Sequence, residues 1–136
     1  MKLSKVFKLS LCFYLPVILF LINFLIFQPF RFYYIYPWLD IPMHFLGGAA
    51  IAFSFLCVLN KCKDEIIIKD KLVKVNIIVS LVTLTAVLWE FWEHLVNYLF
   101  KLEWYFTLRD TLEDLFLGML GGLIVVLFSK SVTTTK

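Results

Sequence analysis

The sequence predicts an all-α, polytopic membrane protein that forms one transmembrane helical domain over residues 1–136. Hydrophobic residues make up 62% of the chain and aromatic residues 18%, and the mean hydropathy is +0.89. Soluble domains of similar size are far less apolar. Because a helix needs about 20 apolar residues to cross a bilayer, the apolar stretches predict four transmembrane helices, at residues 9–27, 41–59, 73–98 and 111–128.

The ends of these stretches carry further signals. The first follows three lysines, as in a signal peptide, but it lacks a small-residue cleavage site, so we predict a retained span. The second begins after Asp40 with a proline in its first turn, and the third is the longest. The fourth begins after Asp110, which with Glu113 resembles a capping box. Within it, Gly118 and Gly122 have the Gly-x-x-x-Gly spacing that lets helices approach closely in lipid.

The basic residues predict the orientation of the chain. Ten of the thirteen lysines and arginines lie in the N-terminal tail, the loop at residues 61–74 and the C-terminal tail. With four spans these segments lie on one side, and short loops rich in Lys and Arg stay in the cytoplasm. Aromatic residues before the second and fourth stretches suit the outer interface. We therefore predict a multi-pass protein of the cell membrane (plasma or inner membrane) with both termini in the cytoplasm.

Ionisable side chains in three of the apolar stretches are the candidate functional residues. They are Asp40 and His44 in the second, Glu90, Glu93 and His94 in the third, and Asp110 and Asp114 at the start of the fourth. Each charge costs about 2.5–3.5 kcal/mol at the centre of a membrane helix. The predicted topology brings all of them to the outer leaflet, and spacings of three or four residues place the members of a pair on one helix face. The sequence therefore predicts a shared acidic and histidine site.

Each of these residues also has a structural explanation. Asp40 and Asp110 suit helix caps, and His44 suits a packed ring bonded to a backbone carbonyl. Glu93 suits the headgroup region at the end of its helix. Glu90 fits such an explanation least well, because bulky apolar residues flank it on both sides.

A divalent metal ion is the simplest positive partner for this many carboxylates. Like charges at close range cannot all remain ionised, and carboxylates together with imidazole suit ions such as zinc, manganese or iron. The predicted metal ligands are Asp40, His44, Glu90, His94 and Asp114, and the predicted catalytic residues are Glu90, Glu93 and Asp110. Such a site would serve a metal-dependent hydrolase or transferase that acts on a lipid or an envelope-linked substrate.

Three motifs in the chain resemble those of the YjdF-like family, a group of uncharacterised inner-membrane proteins. They are residues 40–48 (Asp-Ile-Pro-Met-His-Phe-Leu-Gly-Gly), 89–94 (Trp-Glu-Phe-Trp-Glu-His) and 110–114 (Asp-Thr-Leu-Glu-Asp). The similarity covers residues 38–125 and implies family positions at Asp40, His44, Glu90, Glu93, Asp110, Thr111 and Asp114. His94 stands where the family pattern has an aromatic residue. A looser similarity extends to the VanZ-like family linked to glycopeptide resistance, and neither resemblance implies a biochemical activity.

Two other classes of function remain open. A proton-coupled small transporter or resistance-type membrane protein would use the carboxylates to bind protons or a cationic substrate. A non-catalytic interaction protein would use them to hold helices in register, with Arg31, Lys101 or Arg109 as counter-charge. Membrane lipids are the expected partners, a homo-oligomer would help short helices to enclose a site, and nothing predicts nucleic-acid binding. The three cysteines predict no disulfide.

Overall fold

A computed structural model describes residues 9–102, 104 and 107–129 of the chain. Within these residues all regular secondary structure is helical, which confirms the predicted all-α class. The helices are α1 (Tyr14–Ile22), α2 (Phe32–Ile35), α3 (Asp40–Lys61), α4 (Lys71–Phe100) and α5 (Leu108–Phe128). A 3₁₀ turn precedes α1 and a π-helical turn follows it, and we call the whole of Leu11–Phe27 the first helical segment.

Three of these helices are long and apolar enough to cross a membrane, namely α3, α4 and α5. They contain 22, 30 and 21 residues, and at about 1.5 Å per residue each matches or exceeds the ~30 Å hydrocarbon core of a bilayer. The first helical segment is also apolar but shorter. The predicted long apolar helices are thus confirmed for three of the four stretches, with ends within three residues of those expected.

Helices α3 and α5 cross with their backbones in direct contact. A Cβ atom added to Gly48 would overlap the backbone of Gly118, and one added to Gly121 would overlap the carbonyl of Phe45. Small residues allow such an approach in lipid, where packing drives helix association. The predicted role of Gly118 in a close approach of helices is therefore confirmed, and Gly48 and Gly121 share this role.

The core of the bundle is small and lies beyond this crossing, toward the C-terminal ends of α3 and α5. It consists of Ala52 on α3, Ile78 and Val82 on α4, and Val126 on α5, all buried. Gly122 packs against the Val82 side chain and so brings α4 into the same contact. Most other large apolar side chains on the long helices are exposed on the bundle surface, as expected for helices that face lipid.

The start of α5 differs in detail from the sequence prediction. Asp110 does form a capping box, but its partner is Thr107 and not Glu113. The Thr107 hydroxyl accepts a hydrogen bond from the Asp110 N–H at 3.1 Å, and Asp110 Oδ2 accepts one from the Thr107 N–H at 3.0 Å. The helix begins three residues earlier than predicted because Thr107 has the extended backbone of an N-cap.

The prediction that the cysteines form no disulfide is wrong for two of them. Cys12 and Cys57 form a disulfide with a Cα–Cα distance of 5.6 Å, whereas Cys62 is free. The bond joins the start of the first helical segment to the last part of α3, so these two elements run antiparallel. Sequence carried no signal for it, because the two cysteines lie 45 residues apart in different apolar stretches.

Candidate metal centre

The side chain of His44 lies at the centre of the predicted cluster, between three helices. Its Nε2 atom is 3.4 Å from Oδ1 of Asp40 and 3.7 Å from Oδ2 of Asp114. Its Nδ1 atom is 3.9 Å from Oε1 of Glu90. The His44, Glu90 and Asp114 side chains are only 13%, 8% and 12% exposed, whereas that of Asp40 is 44% exposed. The two ring nitrogens of His44 thus face carboxylates from α3, α4 and α5.

The positions of these groups follow from the helices that carry them. Asp40 and His44 are four residues apart on α3 and therefore share a face. Asp114 reaches the same place from α5, because the crossing of Gly48 with Gly118 lies one turn further along both helices. The close backbone contact therefore positions the acidic groups as well as packing the bundle.

Two sets of side chains have the geometry of a metal site within the described residues. Asp40, His44 and Asp114 form the first, and His44, Glu90 and Glu93 form the second, with the ligand atoms of each set within 4.8 Å of one another. In tetrahedral zinc sites with bonds of about 2.0–2.2 Å, ligand atoms lie roughly 3.3–3.6 Å apart. The distances from His44 Nε2 to the two aspartates are close to this range, and the distance to Glu90 is longer.

Two predicted site residues lie outside both sets. His94 is on the exposed side of α4, where its Nε2 atom is 3.5 Å from the Thr111 hydroxyl. Asp110 is occupied by the cap of α5, where both the N–H and the hydroxyl of Thr107 donate to its Oδ2. The structure therefore brings together Asp40, His44, Glu90, Glu93 and Asp114 but leaves His94 and Asp110 in other surroundings.

One family model matches residues 1–135, almost the whole chain, and its description is predicted membrane protein (DUF2238). The chain belongs to the DUF2238 family. No curated protein and no solved structure matches it. Family membership agrees with the resemblance to YjdF-like proteins, and together with the long apolar helices it identifies a multi-pass membrane protein. The resemblance to VanZ-like proteins has no support from these comparisons.

Sequence reasoning missed two polar residues of this DUF2238 protein, Asn23 and Tyr33, which line the same cavity as Asp40 and His44. The Tyr33 hydroxyl on α2 donates a 2.8 Å hydrogen bond to Oδ1 of Asn23, which is 6% exposed. Burial raises the pKa of Tyr33 above its usual value, and the charge of Asp40 adds to this. An asparagine inside an apolar stretch was the available signal, since a buried amide requires a partner.

An elongated cavity of about 360 Å³ lies beside the cluster, between the first helical segment and helices α3 and α4. Its polar end is formed by Asn23, Tyr33, Asp40, His44 and Glu93. The remainder of the wall is largely apolar and includes Phe13, Val17, Phe20, Met43, Ile51, Val82 and Trp89. Within this wall the side chain of Phe20 packs edge-on against Trp89. The cavity thus joins the acidic cluster to a hydrophobic space inside the bundle.

Proposed function

We propose that this protein binds a divalent metal ion through Asp40, His44 and Asp114 and uses it to act on a lipid or an envelope-linked substrate. One observation carries the proposal. The two nitrogens of His44 face different carboxylates, with Nε2 toward Asp40 and Asp114 and Nδ1 toward Glu90. In metal-ligating histidines the second nitrogen commonly donates to a carboxylate that does not bind the metal, and Glu90 lies on that side of His44, at 3.9 Å from Nδ1.

The local charge also supports a cation at this place. Four carboxyl groups surround one imidazole, and like charges this close cannot all remain ionised without a positive partner. Arg109, the basic residue closest to Asp110, pairs at 2.6 Å with Glu113 on the exposed face of α5. It therefore does not supply the counter-charge that an interaction protein would need from it. A divalent ion would offset the charge of the two aspartates that bind it.

Glu93 is the residue of the cluster best placed to act on a substrate. It lines the cavity and is absent from the first ligand set. A bound divalent ion polarises a carbonyl or phosphoryl oxygen and lowers the pKa of a bound water. In this proposal Glu93 accepts the proton from that water and Glu90 orients His44. Asp110 caps α5 and His94 lies at the surface, so neither takes part in the reaction.

In the proposed topology the first helical segment crosses the membrane in addition to α3, α4 and α5. The chain then has four spans, with both termini in the cytoplasm. Lysines cluster between α3 and α4, which favours the cytoplasm for that loop. The site then lies in the outer leaflet. A single cysteine introduced at Lys101, in a chain without other cysteines, should react with an impermeant maleimide added outside intact cells, and one at Lys63 should not.

Elemental analysis of purified protein tests the metal site. We expect wild type to retain close to one divalent ion per chain after dialysis, and His44→Ala and Asp114→Ala to retain none. Glu113→Ala is the matched control, because Glu113 is an acidic residue of the same helix at an exposed position. Circular dichroism of each variant reports whether the helices are intact.

The outcomes separate the three functional classes. Metal lost only from the two ligand variants, with intact helices, supports the proposal. Metal-free wild type with helices that unfold when His44 is replaced favours a role in holding helices in register. Metal-free wild type that carries protons or cations into vesicles favours a transporter.

A further inference from the structure

The residues that line the cavity beside the cluster are spread along the bundle far enough to accommodate a hydrocarbon chain. The cavity extends along the first helical segment from Asn23 to Phe13 and along α3 from Asp40 to Ile51, a length of about 15 Å at 1.5 Å per residue. A sphere of the same 360 Å³ would be only about 9 Å across, so the space is elongated. Its volume falls within the range of small-molecule sites, about 300–1,000 Å³.

Gly47 is a second, independent indication that this space takes a ligand. The neighbouring Gly48 is required for helix packing, but a Cβ atom added to Gly47 would meet nothing within 4 Å. Gly47 nevertheless lines the cavity on α3. Glycine is a poor residue for the interior of a helix. Because helix packing does not require glycine at this position, we attribute its presence to the open space of the cavity.

Apart from Thr85, the polar residues described in the cavity wall lie at one end. Thr85 is the hydroxyl residue in the apolar part, and it donates its proton to the carbonyl of Leu81 on its own helix. A ligand that matches this wall has one apolar chain and one polar head, with the head against the cluster. Because Asp40 and Asp114 offset the charge of a divalent ion bound between them, no net positive charge remains at this end to attract an anionic head.

We propose that the cavity binds a single-chain amphiphile with an uncharged head, such as a monoacylglycerol. Its chain lies along Gly47 toward Ile51 and Val82, and its carbonyl group lies near His44 and Glu93. The position of the chain follows from the cavity alone, whereas the choice of head rests on the metal site proposed above. The substrate class of that site is then a neutral ester or amide of a single long chain.

Photocrosslinking in two-chain phosphatidylcholine vesicles tests the chain site. The probe is a monoacylglycerol with a diazirine at the end of its chain, and labelled residues are mapped by mass spectrometry. Val82 lines the cavity and is only 1% exposed, so bulk lipid does not reach it. Leu84 is 56% exposed and reports labelling by bulk lipid. We expect Val82 to be labelled in wild type.

Two variants on adjacent positions of α3 control for position and bulk. Gly47→Leu fills the cavity and should lower labelling of Val82 at least about tenfold, the loss expected when room for two methylene groups is removed. Leu46→Phe adds bulk at a side chain that is 47% exposed and should leave this labelling unchanged. Equal labelling of Leu84 in all proteins confirms that α4 is inserted in the bilayer, and equal circular dichroism confirms that the helices are intact.

The remaining arms decide the head group and its link to the metal. An alkyl sulfate with the same chain and diazirine should label Val82 at least about tenfold less than the monoacylglycerol, because its head is always anionic. Val82 unlabelled in wild type, or labelled equally in Gly47→Leu, overturns the chain site. Equal labelling by the sulfate overturns the neutral head. Metal-free wild type whose Val82 is still labelled refutes the proposed metal site but retains the chain site.

Discussion

Replacement of Gly48 by alanine should separate α3 from α5 and disrupt the site one turn away. The new Cβ would overlap the backbone of Gly118, which has no side chain that could rotate aside. To restore contacts of about 3.5 Å the helices must move apart by roughly 1–2 Å. The matched control is Gly47→Ala on the preceding residue, where the new methyl group meets nothing within 4 Å.

The expected magnitudes follow from these contacts. Forced overpacking costs about 1–3 kcal/mol, whereas Gly47→Ala should raise the free energy of unfolding by up to about 1 kcal/mol because alanine favours a helix. The two variants should therefore differ by about 1–4 kcal/mol. At the site, the 3.7 Å between His44 Nε2 and Asp114 Oδ2 would grow to about 5 Å. Two metal–ligand bonds of about 2.1 Å span no more than about 4.2 Å.

Two measurements check this prediction. Reversible unfolding in mixed micelles with a rising fraction of sodium dodecyl sulfate, followed by circular dichroism, gives the difference in stability. Competition with a chromophoric chelator gives the affinity for zinc, which should fall at least about tenfold in Gly48→Ala and stay unchanged in Gly47→Ala. Equal stability and equal zinc affinity of the two variants would refute the backbone crossing and its role in positioning Asp114.

Three further changes test individual contacts. Glu90→Gln should weaken zinc binding about 10- to 100-fold without abolishing it, because Glu90 orients a ligand; unchanged affinity in the chelator assay contradicts this role. Tyr33→Phe should lower the free energy of unfolding by about 1–3 kcal/mol, because the buried Asn23 amide loses its donor. Since the pKa of Tyr33 is raised on folding, wild type should lose stability as the pH rises above about 10. If Tyr33→Phe loses the same stability at alkaline pH, Tyr33 is not the source of the loss. Thr107→Ala should lower the free energy of unfolding by about 1 kcal/mol, because α5 loses its N-cap. A zinc affinity that falls by the same free energy would show that Asp110 belongs to the site.

The convergence of the central residues was predictable from the sequence for a physical reason. Ionisable groups are costly in a bilayer, and the spacing of Asp40 and His44 selects one face of a helix. Loop charges then placed them near the same end of the bundle as Glu90 and Asp114. These arguments depend on depth and face alone, which hydropathy and helical periodicity encode directly.

Other features depend on contacts between helices that periodicity does not encode. Gly47 and Gly48 are identical in sequence terms, yet one faces a cavity and the other a backbone. The Cys12–Cys57 bond needs the two side chains to face each other across the first helical segment and α3, which no residue pattern specified. Asp110 was expected to cap α5 with Glu113, and the true partner lies three residues upstream because the helix starts there.

The backbone contact between α3 and α5 has a consequence for which ions can be held. Because no side chain separates Gly48 from Gly118, the bite between His44 and Asp114 is set by the main chain and has little freedom to widen. Bonds of about 2.0–2.2 Å fit this bite. Calcium bonds of about 2.3–2.6 Å fit it as well, but calcium takes six to eight oxygen ligands. In the proposed site, one imidazole and two carboxylates favour an ion that accepts nitrogen as well as oxygen ligands, which calcium does not.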